Sequence, residues 1–148
     1  MASQLPTFPR IIFTIVEPLS LLGGAGGGIF QPAWFISQQI PSPGAVESTE
    51  HSRLVAQQLG NCYFLLFLIA VGVLSSTSEL KVVRSYLMGL WIADIGHVGL
   101  TAFGLGYHHT LAVGQWNAMT WGNIGITGKH LLSSCSSCSS CRAALMAS

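Results

Sequence analysis

Three apolar runs, each long enough to cross a bilayer's hydrocarbon core, decide what this chain can fold into. The first reads IIFTIVEPLSLLGGAGGGIF, from Ile11 to Phe30. At 1.5 Å per residue such a run covers roughly 30 Å. The second spans Leu54 to Leu74, and the third runs from about Ser85 to Leu105. Backbone polar groups in lipid must be satisfied within the segment, so runs like these are helices. Charged residues make up only 7% of the 148, against about 25% in soluble domains. Mean hydropathy is +0.56. The expected fold is an all-α polytopic membrane helix bundle, with three full transmembrane helices plus a short fourth. The formal charge of +1 and the absence of a dense basic cluster exclude a nucleic-acid partner.

The fourth segment, WNAMTWGNIGITG from Trp116 to Gly128, ends at Lys129 and His130. Its roughly 20 Å falls short of the hydrocarbon thickness. The bundle is therefore expected over 1–128, and 129–148 as a separate Ser/Cys-rich low-complexity tail. The tail reads as disordered, or as the mark of an interrupted fourth helix. A cleaved signal peptide competes for the first run, but Glu17 and Pro18 in its middle argue against it. Gly24 and Gly28 are spaced as G-x-x-x-G for close helix packing, and the glycines around them predict a kink or early end near Gly26. Between the first two runs, residues 31–53 read as a loop, with Trp34 and Phe35 at the interface. With four crossings, Arg10, Lys81, Arg84, Lys129 and Arg142 lie on one side and Arg53 on the other. The positive-inside rule then places both termini in the cytosol. Localisation is expected in the endoplasmic reticulum membrane.

An ionisable residue at membrane depth is a functional-site hypothesis by default. Asp94 and His97 sit one turn apart within the third run. Tyr86, Leu90, Asp94, His97 and Thr101 share one face at steps of three and four, beside a smooth stripe of Gly89, Ala93 and Gly96. On the second run Gln57 and Asn61 stack at i, i+4. On the fourth, Trp116, Thr120, Asn123 and Thr127 align. Three polar stripes on three helices are best satisfied around one interior site, with Glu17 somewhat nearer the cytosol. Asp94, His97 and Glu17 are the candidate catalytic residues, because a carboxyl and an imidazole held away from water can donate or shuttle a proton. Asn61, Asn123, Trp121 and Trp91 are the candidate substrate-binding residues. The alternatives are structural: an Asp94–His97 pair that satisfies itself, asparagines acting as interhelical hydrogen-bond glue, and tryptophans that only pack.

No metal and no cofactor is expected. His108 and His109 read as a solvated loop. The C-x-x-C-x-x-C run at Cys135, Cys138 and Cys141 lacks the fourth ligand of an iron–sulfur pattern. Cys62 lies alone in an apolar run, and no nucleotide-binding or hydrolase fingerprint occurs.

The blocks FPRIIFTIVEPLSLLGG, QLGNCYFLLFL, VVRSYLMGLWIADIGHVGLTAFGLG and WNAMTWGNIGITG, from roughly Phe8 to Gly128, resemble a family of small fungal integral membrane proteins of unknown function. That resemblance implies a four-helix bundle with Glu17, Asn61, Asp94, His97, Trp121 and Asn123 at its polar positions, and a fourth helix continuing past Gly128. At the level of fold alone, the arrangement is similar to the emopamil-binding and sterol-isomerase superfamily, which sets carboxylates, His, Asn and Trp around a lipid-like ligand. Two function classes follow. One is an intramembrane acid/base isomerase or cyclase acting on a hydrophobic, terpenoid- or sterol-like substrate in secondary metabolism. The other is a non-enzymatic membrane protein that binds lipid or supports a partner. Expected partners are membrane lipids, a hydrophobic small molecule, and a second copy packed through Gly-rich helix faces.

Overall fold

The computed structural model describes residues 11–41, 47–77 and 79–128. Helix α1 (Ile12–Phe30) is followed by α2 (Pro32–Ser37), α3 (Glu50–Ser76) and α4 (Leu80–Leu111). The short α5 (Ala118–Thr120) continues as a π-helical turn over Trp121–Ile126. No strand occurs among the described residues. Helices α1, α3 and α4 are long and apolar enough to cross a membrane. The bundle is three full spans with a shorter fourth, as the apolar runs predicted. The Ser/Cys-rich tail lies outside the described residues.

Helix α1 is continuous, with no kink at Gly26. Two of its glycines, Gly24 and Gly28, meet α3 at very short range. A Cβ on Gly28 would stand 2.8 Å from the Ala56 carbonyl oxygen and 2.9 Å from Gly60 Cα. One on Gly60 would stand 2.9 Å from the Ile29 nitrogen and 3.0 Å from the Ala25 carbonyl oxygen. Gly24 lies against the Tyr63 ring. The G-x-x-x-G of α1 thus meets Ala56 and Gly60 of α3, and small residues on both sides bring the backbones together. The α1–α3 pair is the tightest part of the molecule.

Helix α3 starts at Thr49, whose Oγ1 accepts from the Ser52 N–H at 3.2 Å, an N-cap that satisfies one otherwise orphaned donor. The residues read as one loop, 31–53, contain α2 and the first turn of α3, because Pro32 sits at a helix's first position where its missing N–H costs nothing. A short break at Thr77 leads into α4. Near that turn lies the apolar core: Ile12 and Phe13 from α1, Leu74 from α3, and Val83 and Leu87 from α4, flanked by Tyr86 and Leu90.

Helix α4 is broken at Gly106, whose φ of 75° only glycine adopts without strain. The segment read as a loop from Tyr107 onward therefore begins as one more helical turn, to Leu111. The Thr110 hydroxyl spans the break, 3.2 Å from the Ala102 carbonyl oxygen and 2.9 Å from that of Gly106. His108 and His109 are exposed there. The fourth segment is tied back at its start: Trp116 Nε1 donates to the His109 carbonyl at 3.0 Å, and Asn117 Nδ2 donates to the Gln38 carbonyl at 2.9 Å.

Candidate intramembrane polar site

Pro18 shapes the site from within α1. It has no N–H to offer the carbonyl four residues back, and its ring crowds that carbonyl. The chain responds by widening: Ile12–Val16 is π-helical, and the Glu17 N–H bonds the Ile12 carbonyl five residues back. Such π-turns cluster at functional sites. Glu17 stands at the end of this one, one turn from Phe13, and is 5% exposed. Ser20 Oγ donates to its backbone carbonyl at 2.8 Å.

The Glu17 side chain faces α4. The Tyr86 hydroxyl interacts with its carboxyl, and the Asp94 carboxyl lies within electrostatic reach of it. Glu17 Oε2 is buried with no hydrogen-bond partner among the described residues. A buried polar atom in that state costs about 1–3 kcal/mol, so its presence demands a reason beyond packing. Asp94 is half-buried.

Farther along the same face of α4, His97 Nε2 lies 3.4 Å from Asn123 Oδ1. Asn123 belongs to the second π-helical turn, Trp121–Ile126. The stripe of Tyr86, Asp94 and His97 is therefore turned inward at both ends, to Glu17 of α1 and to Asn123 of the fourth segment. Tyr86 to His97 is eleven residues, or roughly 16 Å of helix.

The geometry revises two expectations. His97 pairs with Asn123 rather than with Asp94, because the fourth segment brings the Asn123 amide to its Nε2. Asn61 does not join the group. It is exposed, because Ala56 and Gly60 turn the small-residue face of α3 toward α1 and carry Asn61 away from it. Its neighbour Gln57 reaches the Ile29 carbonyl at 3.5 Å. Trp91 is 37% exposed and Trp121 is 49% exposed. Trp121 packs edge-on against Trp116 at 5.0 Å between centroids and lies over Gly125.

Tyr86 is the site residue that sequence reasoning left out. It was placed on the polar stripe, two turns before Asp94, and an inward phenol at membrane depth was the available signal. Among the described residues no cluster of three or more His, Cys, Asp or Glu could hold a metal.

No curated protein and no solved structure matches the chain. A family model does match, over residues 2–135, and the chain belongs to that family, described as a domain of unknown function (DUF7704).

Proposed function

We propose that the protein is an intramembrane acid/base enzyme, an isomerase or cyclase, acting on a hydrophobic molecule of terpenoid or sterol-like character. The buried, partly unpartnered carboxyl of Glu17 beside Asp94 carries this reading. Glu17 is the acid. Its O–H proton passes to an alkene carbon, the π electrons form the new C–H bond, and the adjacent carbon becomes a cation facing the Asp94 carboxylate. Loss of a proton from a neighbouring carbon to the Glu17 carboxylate restores an alkene at a shifted position. Attack by a second alkene on the cation would instead close a ring and move the positive charge to that alkene's far carbon, and loss of a proton beside it to His97 would then restore an alkene. Tyr86 orients the Glu17 carboxyl, Asn123 orients the His97 imidazole, and Trp91 and Trp121 border the substrate. The surrounding apolar helices keep water from quenching the cation. Residence in the endoplasmic reticulum, where such substrates dissolve, belongs to the same proposal.

Deuterium transfer tests it. Membranes containing the protein are incubated in D2O with the neutral lipids of the source cells, and the extract is analysed by mass spectrometry. Carbon-bound deuterium should appear in one lipid class with the wild type and not with Glu17→Gln, whose amide keeps the shape but cannot deliver the proton equivalently. Equal deuterium in both would remove Glu17 from the chemistry.

The second reading, a non-enzymatic protein that binds lipid or supports a partner, is favoured by one observation. A Cβ on Gly89, Gly96, Gly99 or Gly104 of α4 would meet nothing within 4 Å. That open face suits a lipid chain or another helix. On this reading no deuterium is transferred by any variant.

A further inference from the structure

Helix α3 carries a second polar feature, away from the site between α1 and α4. Leu54, Gln58, Asn61, Leu65, Leu68 and Gly72 recur at alternating steps of four and three, and every one of them is exposed. An average period of 3.5 keeps them on one gently winding seam, the pattern of a left-handed coiled coil. From Leu54 to Gly72 the seam covers roughly 27 Å, close to a full hydrocarbon core. Nothing among the described residues covers it. Ala56 and Gly60 turn another side of α3 to α1, and the fourth segment is held to α4 through Asn123. A Cβ on Gly72 would meet nothing within 4 Å. Exposed leucines are at home in lipid, so the amides decide what the seam faces. Gln57 reaches back to the Ile29 carbonyl, whereas Gln58 and Asn61 stay on the exposed side. Asn61 lies seven residues into the apolar run that starts at Leu54, roughly 10 Å deep. Its side chain is too short to reach water from there, and lipid tails offer an amide neither donor nor acceptor.

We infer that α3 pairs along this seam with α3 of a second copy of the chain. Insertion gives every copy the same direction across the membrane. A two-fold axis between two copies therefore runs along the membrane normal and sets each residue of α3 opposite itself. Asn61 then meets the partner's Asn61 at equal depth. A carboxamide is its own complement, since each amide donates an N–H to the other's oxygen and accepts one in return. Gln58 repeats the pairing about one turn nearer the interface. Polar residues within an apolar seam also fix register, because a slip leaves the amides unpaired. Leu54, Leu65 and Leu68 pack around them, and Gly72 lets the two helices approach closely. A different partner helix would need an amide of its own at the same depth, which a copy of this chain supplies without further condition.

This interface stands on α3 alone and does not depend on turnover at Glu17. Full-length copies carrying a donor or an acceptor dye at the N-terminus are mixed in phosphatidylcholine vesicles, and energy transfer is followed as lipid is added. The wild type should show transfer above that of random mixing, falling on dilution as a dimer dissociates. Asn61→Leu, which keeps the seam apolar, should weaken association at least about tenfold, or about 1.4 kcal/mol. Asn61→Gln should restore most of it. Gly96→Leu, on the open face of α4, should associate as the wild type does. Oxidative crosslinking locates the face independently, in a chain whose four native cysteines are changed to alanine. Leu65→Cys should give a disulfide-linked dimer, because a disulfide needs Cα atoms within about 7 Å. Leu66→Cys, one residue round the helix, should not. Transfer no greater than random mixing in the wild type overturns the inference without any variant. So does undiminished association in Asn61→Leu, or equal crosslinking from the two cysteine positions. Loss of association in Gly96→Leu would put the interface on α4 and overturn it as well.

Discussion

Glu17 is buried where a leucine would ordinarily sit, one turn above Phe13 in a cluster of apolar side chains. Removing a buried polar atom that lacks a partner is often neutral or stabilising, whereas truncating one member of a satisfied pair is costly. Glu17→Leu combined with Tyr86→Phe, which removes both halves of the one hydrogen bond the carboxyl makes, should therefore leave thermal stability in detergent unchanged, or raise it by about 1 kcal/mol, while eliminating deuterium transfer. A clear drop in unfolding temperature would mean that Glu17 is there for structure. His97 and Asn123 make a long contact of 3.4 Å, and such interhelical hydrogen bonds are worth about 0.6 kcal/mol on average in membrane proteins. A double-mutant cycle over His97→Ala and Asn123→Ala should return a coupling of that order. A coupling of zero would show that the imidazole faces elsewhere in solution. Both results are set by partners, which is why the residue types could be read in advance but not their pairing. Asp94 and His97 are adjacent in the third run, and only the position of the fourth segment assigns His97 to Asn123.

Helices α1 and α3 depend on contact without side chains. Gly28→Ala puts a methyl 2.8 Å from the Ala56 carbonyl oxygen, and neither backbone can yield without separating the pair. Such overpacking costs about 1–3 kcal/mol. Gly96→Ala on α4 meets open space, and should stabilise by about 0.5–1 kcal/mol through helix propensity alone. Parallel thermal unfolding in one detergent checks the opposite signs, and like signs would contradict the helix pairing. Pro18 has the other role at this scale. Pro18→Ala returns a backbone donor to α1 and lets the π-turn relax to an α-turn, which rotates Ile12–Val16 relative to Glu17. The variant should be at least as stable as the wild type and should lose deuterium transfer, because the chain around Glu17 has changed register. Full transfer would mean that the π-turn is incidental. The G-x-x-x-G spacing announced a close helix contact, and Gly28 makes one inside the chain, with Ala56 and Gly60 of α3.

The molecule as a whole is a bundle with one tight seam and one open side. Lys81 and Arg84 stand at one end of α4, and Arg53 lies in α3 near the other end of the bundle. The topology we propose has the first loop on the side away from the cytosol, by the distribution of Lys and Arg. Ser48→Cys should accordingly react with a membrane-impermeant maleimide only from the lumenal or outer face. Labelling from the cytosol would invert the bundle. Length and hydropathy alone determined that this chain is an all-helical membrane bundle with three full spans and a short fourth, because each span must satisfy its own backbone in lipid. The polar face of α4 was equally legible, since helical periodicity is a local property. Tertiary structure alone decided that Glu17 meets Tyr86 within electrostatic reach of Asp94, that His97 meets Asn123, and that Asn61 faces out. A helix may turn any of its faces to a neighbour, and that rotation was settled here by where two glycines allowed α1 and α3 to touch.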